Sequence, residues 1–203
     1  MLSKKYYSGN KMKKSIFLNA IAVFLFTQVF GQALPKVIME TTLGVIIVEV
    51  DTAKAPTTAK NFLKHVETNT YKNGVFYRVV RMDNQPKNDV KIEVIQGGIY
   101  TEPRFGEIQP IEHETTAKTG LRHLNGTISM ARMGPGTAST EFFICIGDQP
   151  ELDFGGKRNA DGQGFAAFGQ VVEGMDVVRE IQKQKDKNQT LLEKIGFAVS
   201  VVE

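Results

Sequence analysis

The chain has 203 residues, of which 41% are hydrophobic and 23% are charged, and this composition is typical of one globular domain rather than of a disordered or fibrous protein. The first 31 residues contain five lysines and no acidic residue, whereas the rest of the chain has 20 basic and 22 acidic residues. That balance gives no support to nucleic-acid binding, which requires clustered positive charge. The only cysteine, Cys145, cannot form an intramolecular disulfide, and its apolar surroundings indicate a buried, unreactive thiol.

Residues 1–31 are typical of an export leader. A lysine-rich stretch precedes an apolar run over 16–30, and Gly31 follows as a small residue before a plausible cleavage site, whether translation begins at Met1 or Met12. The competing interpretation is a retained membrane anchor, but this run has 15 residues and includes polar ones, whereas a span needs ~20 apolar residues. The sequence therefore predicts a cleaved leader over 1–31, a mature domain over 32–203 and a periplasmic or secreted location.

The mature part begins with a predicted β-hairpin, because residues 36–50 are β-branched and apolar on both sides of a turn-like segment at 41–44. Pro56 then opens a predicted amphipathic helix with apolar residues at helical spacing up to Val66. A second helix is predicted over about 174–182. Further strand-like runs lie at 75–80, 90–96, 127–131, 141–146, 165–172 and 195–202. About eight strands and two helices indicate a barrel or a sandwich.

No motif for metal, nucleotide or hydrolytic chemistry stands out. The three histidines, His65, His113 and His123, show no spacing typical of a metal site or of a Ser-His-Asp triad. Residues 159–162 resemble part of a calcium loop, but Lys157 stands where the first carboxylate ligand belongs. The sequence therefore predicts no metal and no cofactor.

The remaining candidate is Arg78, an arginine inside the apolar run 75–80. Regular strand alternation would place Phe76 and Arg78 on one face and Tyr77 and Val79 on the other. Taken alone, Arg78 could be an ordinary outward-facing strand residue. Its interpretation changes when the segments that follow it are considered in order.

Together these segments resemble the cyclophilin family over residues 36–203. The run 76–80 resembles the family's aromatic-x-Arg-hydrophobic-hydrophobic strand, and Gln96-Gly97-Gly98 is similar to its Gln-Gly-Gly segment. Further similar segments are Ser129-Met130-Ala131, Gly134-Pro135, Phe142-Phe143-Ile144, Leu152-Asp153 and Phe168-Gly169. The resemblance implies a mainly β fold, a closed eight-stranded antiparallel barrel capped by two α-helices, with a groove on its outer surface that receives an Xaa-Pro peptide.

The resemblance also implies a function, which is peptidyl-prolyl cis-trans isomerisation in exported proteins without a cofactor or metal. It makes Arg78 the catalytic donor, with Gln96 as a support for Arg78 or for the substrate carbonyl. The implied partners are proline-containing polypeptides, with no nucleic acid and, after leader cleavage, no membrane, and the expected state is a monomer. The implied substrate-binding residues are Phe76, Val94, Met130, Ala131, Arg132, Met133, Glu141, Phe143, Leu152 and Phe165.

The sequence departs from the family's pattern beside the site. Residues 81–89 are a polar insertion between Arg78 and Gln96, which we expect to alter the rim of the groove. Val94 stands where many members have methionine and Glu93 where they have phenylalanine, so we expect a rebuilt proline pocket.

Other departures concern charge. Glu141 replaces a usual glutamine and Arg132 a usual asparagine, and the two could form an ion pair. Glu151 replaces the tryptophan that contacts cyclosporin in many members, so we expect weak binding of that drug.

These changes leave two alternatives open: a proline-peptide-binding holdase with little turnover, and a barrel used as a scaffold for another ligand. Retention of Arg78, Gln96 and Phe143 favours the isomerase.

Overall fold

The computed structural model describes Met1 and residues 33–202. The leader predicted over 1–31 lies outside the described residues, apart from Met1. The compact unit that carries the barrel begins at Ala33. Within residues 33–202, no helix combines the length and the apolar character needed to cross a membrane.

The strands form one antiparallel sheet that closes on itself. The order of neighbours is β1-β2-β7-β5-β6-β4-β3-β9, and β9 also pairs with β1, so eight strands complete a barrel while β8 pairs only with β9. The predicted eight-stranded antiparallel barrel is thus confirmed. The bounds are β1 Lys36–Thr41, β2 Gly44–Val50, β3 Val75–Val80, β4 Val94–Gly98, β5 Thr127–Met130, β6 Phe142–Cys145, β7 Ala166–Glu173, β8 Asp186–Lys187 and β9 Thr190–Val201.

Both predicted helices are present. Helix α1 spans Pro56–Glu67 and α3 spans Met175–Gln182, while a one-turn helix α2, Thr116–Thr119, was not predicted. Pro56 occupies the first turn of α1, where its missing N–H has no helical acceptor to satisfy. The buried face of α1 includes Ala59, Phe62 and Val66, so the helical spacing in the sequence correctly identified the side that packs on the barrel.

Aromatic side chains fill much of the barrel core. Phe142 packs edge-on against Phe76 and against Phe62 of α1, with ring centroids 5.9 and 5.8 Å apart. All three rings are fully buried, and removing such a ring costs about 3–5 kcal/mol of stability. The neighbouring strand residue Cys145 is buried on the other side of β6, where loss of hydration raises the pKa of its thiol. The prediction that Cys145 is buried is confirmed.

A β-bulge in β3 determines which side chains reach the outer surface. Phe76 pairs with Gly97 and Arg78 with Gln96, so Tyr77 is an extra residue in the register. Phe76 and Val79 both lie in the core, whereas Tyr77 and Arg78 both line a groove on the outside. The predicted alternation, which placed Phe76 and Arg78 on one face, is therefore wrong because the bulge turns the strand between them.

Candidate active site

An open groove of about 470 Å³ lies on the outer surface of the barrel. Strands β3, β4 and β6 form its floor, and the loops that follow β5 and β6 form its rim. Its lining includes Tyr77, Arg78, Ile92, Val94, Gln96, Ala131, Arg132, Met133, Glu141, Phe143, Leu152, Arg158 and Phe165.

The guanidinium of Arg78 is fixed from two sides. Its Nη1 donates to Gln96 Oε1 at 2.8 Å, while Nε and Nη2 both donate to Gln189 Oε1, at 3.1 and 2.6 Å. Gln96 in turn donates from Nε2 to the Tyr77 hydroxyl at 2.6 Å. An arginine has five N–H donors, and these contacts leave one on Nη1 and one on Nη2 for a ligand. Burial lowers the pKa of Arg78, but arginine remains charged near neutral pH.

An apolar pocket lies beside Arg78. The structure brings together Val94, Phe143, Leu152 and Phe165, as the family resemblance implied, in a cluster separate from the barrel core. Phe143 and Phe165 meet edge to face, with centroids 5.2 Å apart. The apolar wall of this pocket suits a ring such as that of proline.

Sequence reasoning missed Ile92, which lines the same pocket. Glu93 stands where a phenylalanine was expected, and the carbonyl of Glu93 accepts a hydrogen bond from Ile146 N. Ile92 and Val94 are two positions apart and therefore share a face of the extended chain. This period of two was the signal that could have identified Ile92.

Phe143 is supported from behind by a buried polar chain. The His123 ring stacks on Phe143 with centroids 5.8 Å apart, its Nδ1 lies 2.7 Å from Asp153 Oδ1, and its Nε2 lies 2.9 Å from Ser129 Oγ. The connectivity is that of a Ser-His-Asp triad, although no sequence motif indicated one. Ser129 is fully buried in β5, so its hydroxyl cannot reach a substrate. The three hydrogen-bonded side chains instead orient Phe143.

Glu141 lies at the buried end of the groove. Its Oε1 accepts hydrogen bonds from Ile99 N at 2.7 Å and from Thr140 Oγ1 at 3.2 Å, whereas Oε2 has no hydrogen-bond partner within residues 33–202. Loss of hydration raises the pKa of Glu141, and the hydrogen bonds that it accepts only partly oppose this. Gly98 must be a glycine here, because a Cβ would lie 2.2 Å from Glu141 Oε1 and its φ is +149°.

The prediction of an ion pair between Arg132 and Glu141 is wrong, because Arg132 pairs with another residue. Arg132 binds Asp161 through Nη1 and Nη2 at 2.8 and 3.0 Å, and its Nε donates to Gly164 O at 2.8 Å. The Arg132 bonds lower the pKa of Asp161 to about 2. The guanidinium carbon of Arg132 also lies 5.2 Å from the centroid of the Phe165 ring. Arg132 therefore holds the loop 155–164 and the wall of the pocket in place.

Two other predicted substrate contacts do not reach the groove. Phe76 and Met130 are fully buried in the barrel core, Phe76 because of the bulge and Met130 because its side chain points inward from β5. We therefore withdraw them as substrate-binding residues. Ala131 lines the groove, and Met133 is fully exposed at its rim.

The insertion 81–89 folds against the protein. Arg81 forms an ion pair with Asp186 and donates from Nη1 to Gln182 O at 2.7 Å. Gln85 is buried and binds the main chain of Ile92, donating from Nε2 to Ile92 O at 2.7 Å and accepting from Ile92 N at 3.3 Å. The insertion therefore anchors the segment that brings Ile92 to the pocket.

The insertion also contacts the loop 155–164 through Arg158. Nη1 of Arg158 donates to Gln85 Oε1 at 3.0 Å and to Val90 O at 2.6 Å. Arg158 itself lines the groove, whereas no residue of 81–89 does, so the insertion acts on the rim only through its contacts with Arg158 and Ile92. Among the described residues, no group of three or more His, Cys, Asp or Glu side chains is arranged to hold a metal ion.

Comparison with known proteins points to one family. The model of "Cyclophilin type peptidyl-prolyl cis-trans isomerase/CLD" matches residues 36–198. The peptidyl-prolyl cis-trans isomerase cyp18 of Streptomyces antibioticus is 37% identical over 150 residues, which cover 72% of this chain and 82% of that one. Peptidyl-prolyl cis-trans isomerase B of Escherichia coli K12 is 36% identical over 150 residues, covering 72% and 83%.

A solved structure supports the same fold. The cyclophilin-type isomerase cgd2_1660 of Cryptosporidium parvum superposes with a TM-score of 0.67 at 22% identity, covering 84% of this chain and 98% of that one. A second structure of that protein was determined in the presence of the dipeptide Ala-Pro and has a TM-score of 0.66. With the fold, the groove and its relatives in agreement, the chain belongs to the cyclophilin-type peptidyl-prolyl cis-trans isomerase family and is an isomerase of that type.

Proposed function

We propose that this isomerase rotates Xaa-Pro bonds in exported polypeptides, with Arg78 as the donor to the prolyl nitrogen. The observation that carries the proposal is the position of Arg78, which is held by Gln96 and Gln189 next to the pocket formed by Phe143 and Leu152. Each of the two Nη atoms of Arg78 retains one N–H for the substrate.

The reaction requires no bond to break. Amide resonance gives the C–N bond partial double-bond character and a rotation barrier of ~18–20 kcal/mol. In the twisted transition state the prolyl nitrogen becomes pyramidal and regains a lone pair. A donor that reaches this lone pair binds the transition state more strongly than the planar ground state, which is the condition for a faster rate.

The proline ring must stay in place while the carbonyl that precedes it turns. The pocket of Val94, Phe143, Leu152 and Phe165 would hold the ring by apolar contact, next to the guanidinium. Gln96 would act through Arg78, whose Nη1 it binds, and is therefore a positioning residue in this scheme. The mechanism uses the chain's own side chains and no cofactor.

The peptide would lie along residues 131–133 at the rim. Ala131 N already donates to Glu141 O at 2.8 Å, and Met133 N donates to Thr137 Oγ1 at 3.0 Å. Main-chain pairing with a peptide on this segment would therefore use its carbonyl groups and the N–H of Arg132, which lies between these two donors. Glu141, at the buried end of the groove, would contact residues that precede the proline.

Export is part of the proposal. The lysine-rich and apolar character of residues 1–31 supports cleavage and release to the periplasm or the exterior. We expect the released protein to be a monomer. Proline isomerisation limits the folding rate of many polypeptides, so an exported isomerase would accelerate the folding of exported substrates. Cell fractionation with N-terminal sequencing of the mature protein tests this, and a full-length cytoplasmic product would contradict it. Size-exclusion chromatography with light scattering measures the molar mass and so tests whether the protein is a monomer.

The deciding experiment for the mechanism compares wild type, Arg78→Ala and Arg179→Ala in an NMR exchange assay on an Xaa-Pro peptide. Removing one well-placed transition-state donor costs about 10²–10³-fold in kcat, and we expect a loss of that order for Arg78→Ala. Arg179 is exposed on α3, so its variant should match wild type. Equal rates for all three proteins would remove Arg78 from the mechanism. Peptide binding without turnover by wild type would favour the holdase.

A further inference from the structure

We infer that Gln189 is a positioning residue that fixes the guanidinium plane of Arg78, and that the insertion 81–89 acts on catalysis through it. The inference rests on the proposed role of Arg78. Gln189 lies 111 positions further along the chain, in the turn between β8 and β9.

Gln189 supplies the second of two contacts that Arg78 needs to keep one orientation. Gln96 binds only Nη1, and a single hydrogen bond leaves the guanidinium free to pivot about it. Gln189 Oε1 accepts from both Nε and Nη2, at 3.1 and 2.6 Å, on the opposite side. Contacts at all three nitrogens define the plane, and a site must hold such a group to within about 0.5 Å to be effective.

Gln189 is itself held by its main chain and its side chain. Val79 N donates to Gln189 O at 2.9 Å, and Gln189 N donates to Asp186 Oδ2 at 2.8 Å. The side-chain amide is oriented by a third bond, from Nε2 to Asn84 O at 3.1 Å. Because Nε2 faces Asn84, Oε1 has to face Arg78.

Asn84 belongs to the insertion, and the insertion is anchored to the same turn. Asn84 Nδ2 donates to Val79 O at 3.1 Å and to Asp186 Oδ2 at 3.3 Å, and Arg81 forms an ion pair with the other oxygen of Asp186. Only 6% of the Asp186 side chain is exposed, so this pair is shielded from solvent. The insertion, Asp186 and Gln189 thus form one connected network that ends on Arg78.

The backbone conformation at Gln189 allows its side chain to be removed without strain. Gln189 has a φ of +71° and its neighbour Asn188 a φ of +51°, and glycine adopts both values without strain. Gln189→Gly therefore deletes the contact to Arg78 and leaves the turn favourable. Asn188→Gly is a matched control, because it makes the same backbone change at an exposed position.

The test measures kcat, KM and the melting temperature of wild type, Gln189→Gly and Asn188→Gly. A donor that acts only in the transition state affects kcat, so we expect Gln189→Gly to lower kcat about tenfold with KM unchanged. Its melting temperature should not fall, and Asn188→Gly should retain the wild-type kcat. The NMR signal of the Arg78 Nε–H should shift or broaden in Gln189→Gly only.

Three outcomes overturn the inference: wild-type kcat in Gln189→Gly, a rise in KM with kcat unchanged, or equal losses in both glycine variants. If Gln189→Gly has a lower melting temperature than wild type, a second variant, Gln189→Met, tests the inference. Methionine keeps the side-chain length without the acceptor and should lower kcat by a similar factor. Normal kcat in the Met variant would then count against the inference. An Arg78→Ala variant as active as wild type would instead mean that the proposed function of Arg78 has failed.

Discussion

Gln96 links two side chains of the groove: its Nε2 donates a hydrogen bond of 2.6 Å to the hydroxyl of Tyr77, while its Oε1 accepts one from Arg78 Nη1. Without the hydroxyl, Nε2 loses its partner and the amide that holds Arg78 is less firmly positioned. We expect Tyr77→Phe to lower kcat about fivefold, as for the loss of one buried hydrogen bond of about 1 kcal/mol. Gln96→Leu, which removes both contacts, should lower kcat further, with little effect on peptide affinity.

The check is a comparison of kcat and peptide dissociation constants in the same exchange assay. Tyr100→Phe is a useful control, because the Tyr100 ring packs on that of Tyr77 at a tilt of 49°, with centroids 4.2 Å apart, but is exposed. A loss in Tyr77→Phe that appears only as weaker binding would show that Tyr77 contacts the peptide rather than Gln96.

Glu141 should make the stability of the protein depend on pH. Burial raises the pKa of Glu141 above its ordinary value of 4.5. At a pH between 4.5 and the raised pKa, Glu141 therefore keeps its proton in the folded state but has lost it in the unfolded state. The contribution of Glu141 to stability is thus greatest below this interval and declines as the pH rises through it. Glu141→Gln keeps an acceptor for Ile99 N and has no charge.

We therefore expect the melting temperature of Glu141→Gln to exceed that of wild type by a margin that grows as the pH rises from 4.5 and stops growing above the raised pKa of Glu141. Thermal melts of both proteins across this range measure the margin. A margin that does not change with pH would show that Glu141 titrates alike in the folded and unfolded states.

The buried chain of Ser129, His123 and Asp153 should contribute to structure and not to hydrolysis. Ser129→Ala leaves His123 Nε2 without its partner at 2.9 Å, and such a loss costs about 1–3 kcal/mol. We expect a lower free energy of unfolding, measured by urea titration, and nearly unchanged kcat. A fluorophosphonate that labels reactive serines should not label wild type, and labelling lost in Ser129→Ala would contradict the structural role.

Cyclosporin should bind weakly, because Glu151 occupies the position of the tryptophan that contacts the drug in many relatives. Glu151 Oε2 accepts a hydrogen bond from Lys157 N at 2.8 Å, so the position is occupied by a polar turn. We expect Glu151→Trp to tighten binding. The chain has no tryptophan, so the fluorescence of the introduced one reports the titration directly. Nanomolar inhibition of the wild type would refute the prediction.

Regular local patterns gave reliable predictions of the elements. The β-branched, apolar residues on both sides of a turn-like segment located the hairpin of β1 and β2, which pairs from Lys36 with Glu49 to Thr41 with Gly44. Helical spacing located α1 from Pro56 onward. The closed barrel and the candidate groove required the family resemblance, because periodicity alone could not distinguish a barrel from a sandwich.

Features that depend on distant contacts could not be predicted. The bulge at Tyr77 breaks the period of two on which the face assignment of Phe76 and Arg78 depended. The contact of Arg78 with Gln189 spans 111 positions and arises from a turn whose residues carry no motif. The suggestion that Arg132 pairs with Glu141 rested on charge alone, whereas the folded loop places Asp161 within hydrogen-bonding distance of both Nη atoms of Arg132.

The pairing of β9 with β1 has a consequence for how the protein reaches its folded state. Val37 lies opposite Val201, so the first and last strands of the barrel are partners. During synthesis the sheet keeps two open edges until β9 emerges, and contacts of such large sequence separation form slowly. A prolyl isomerase therefore depends, for its own barrel, on the arrival of its final strand.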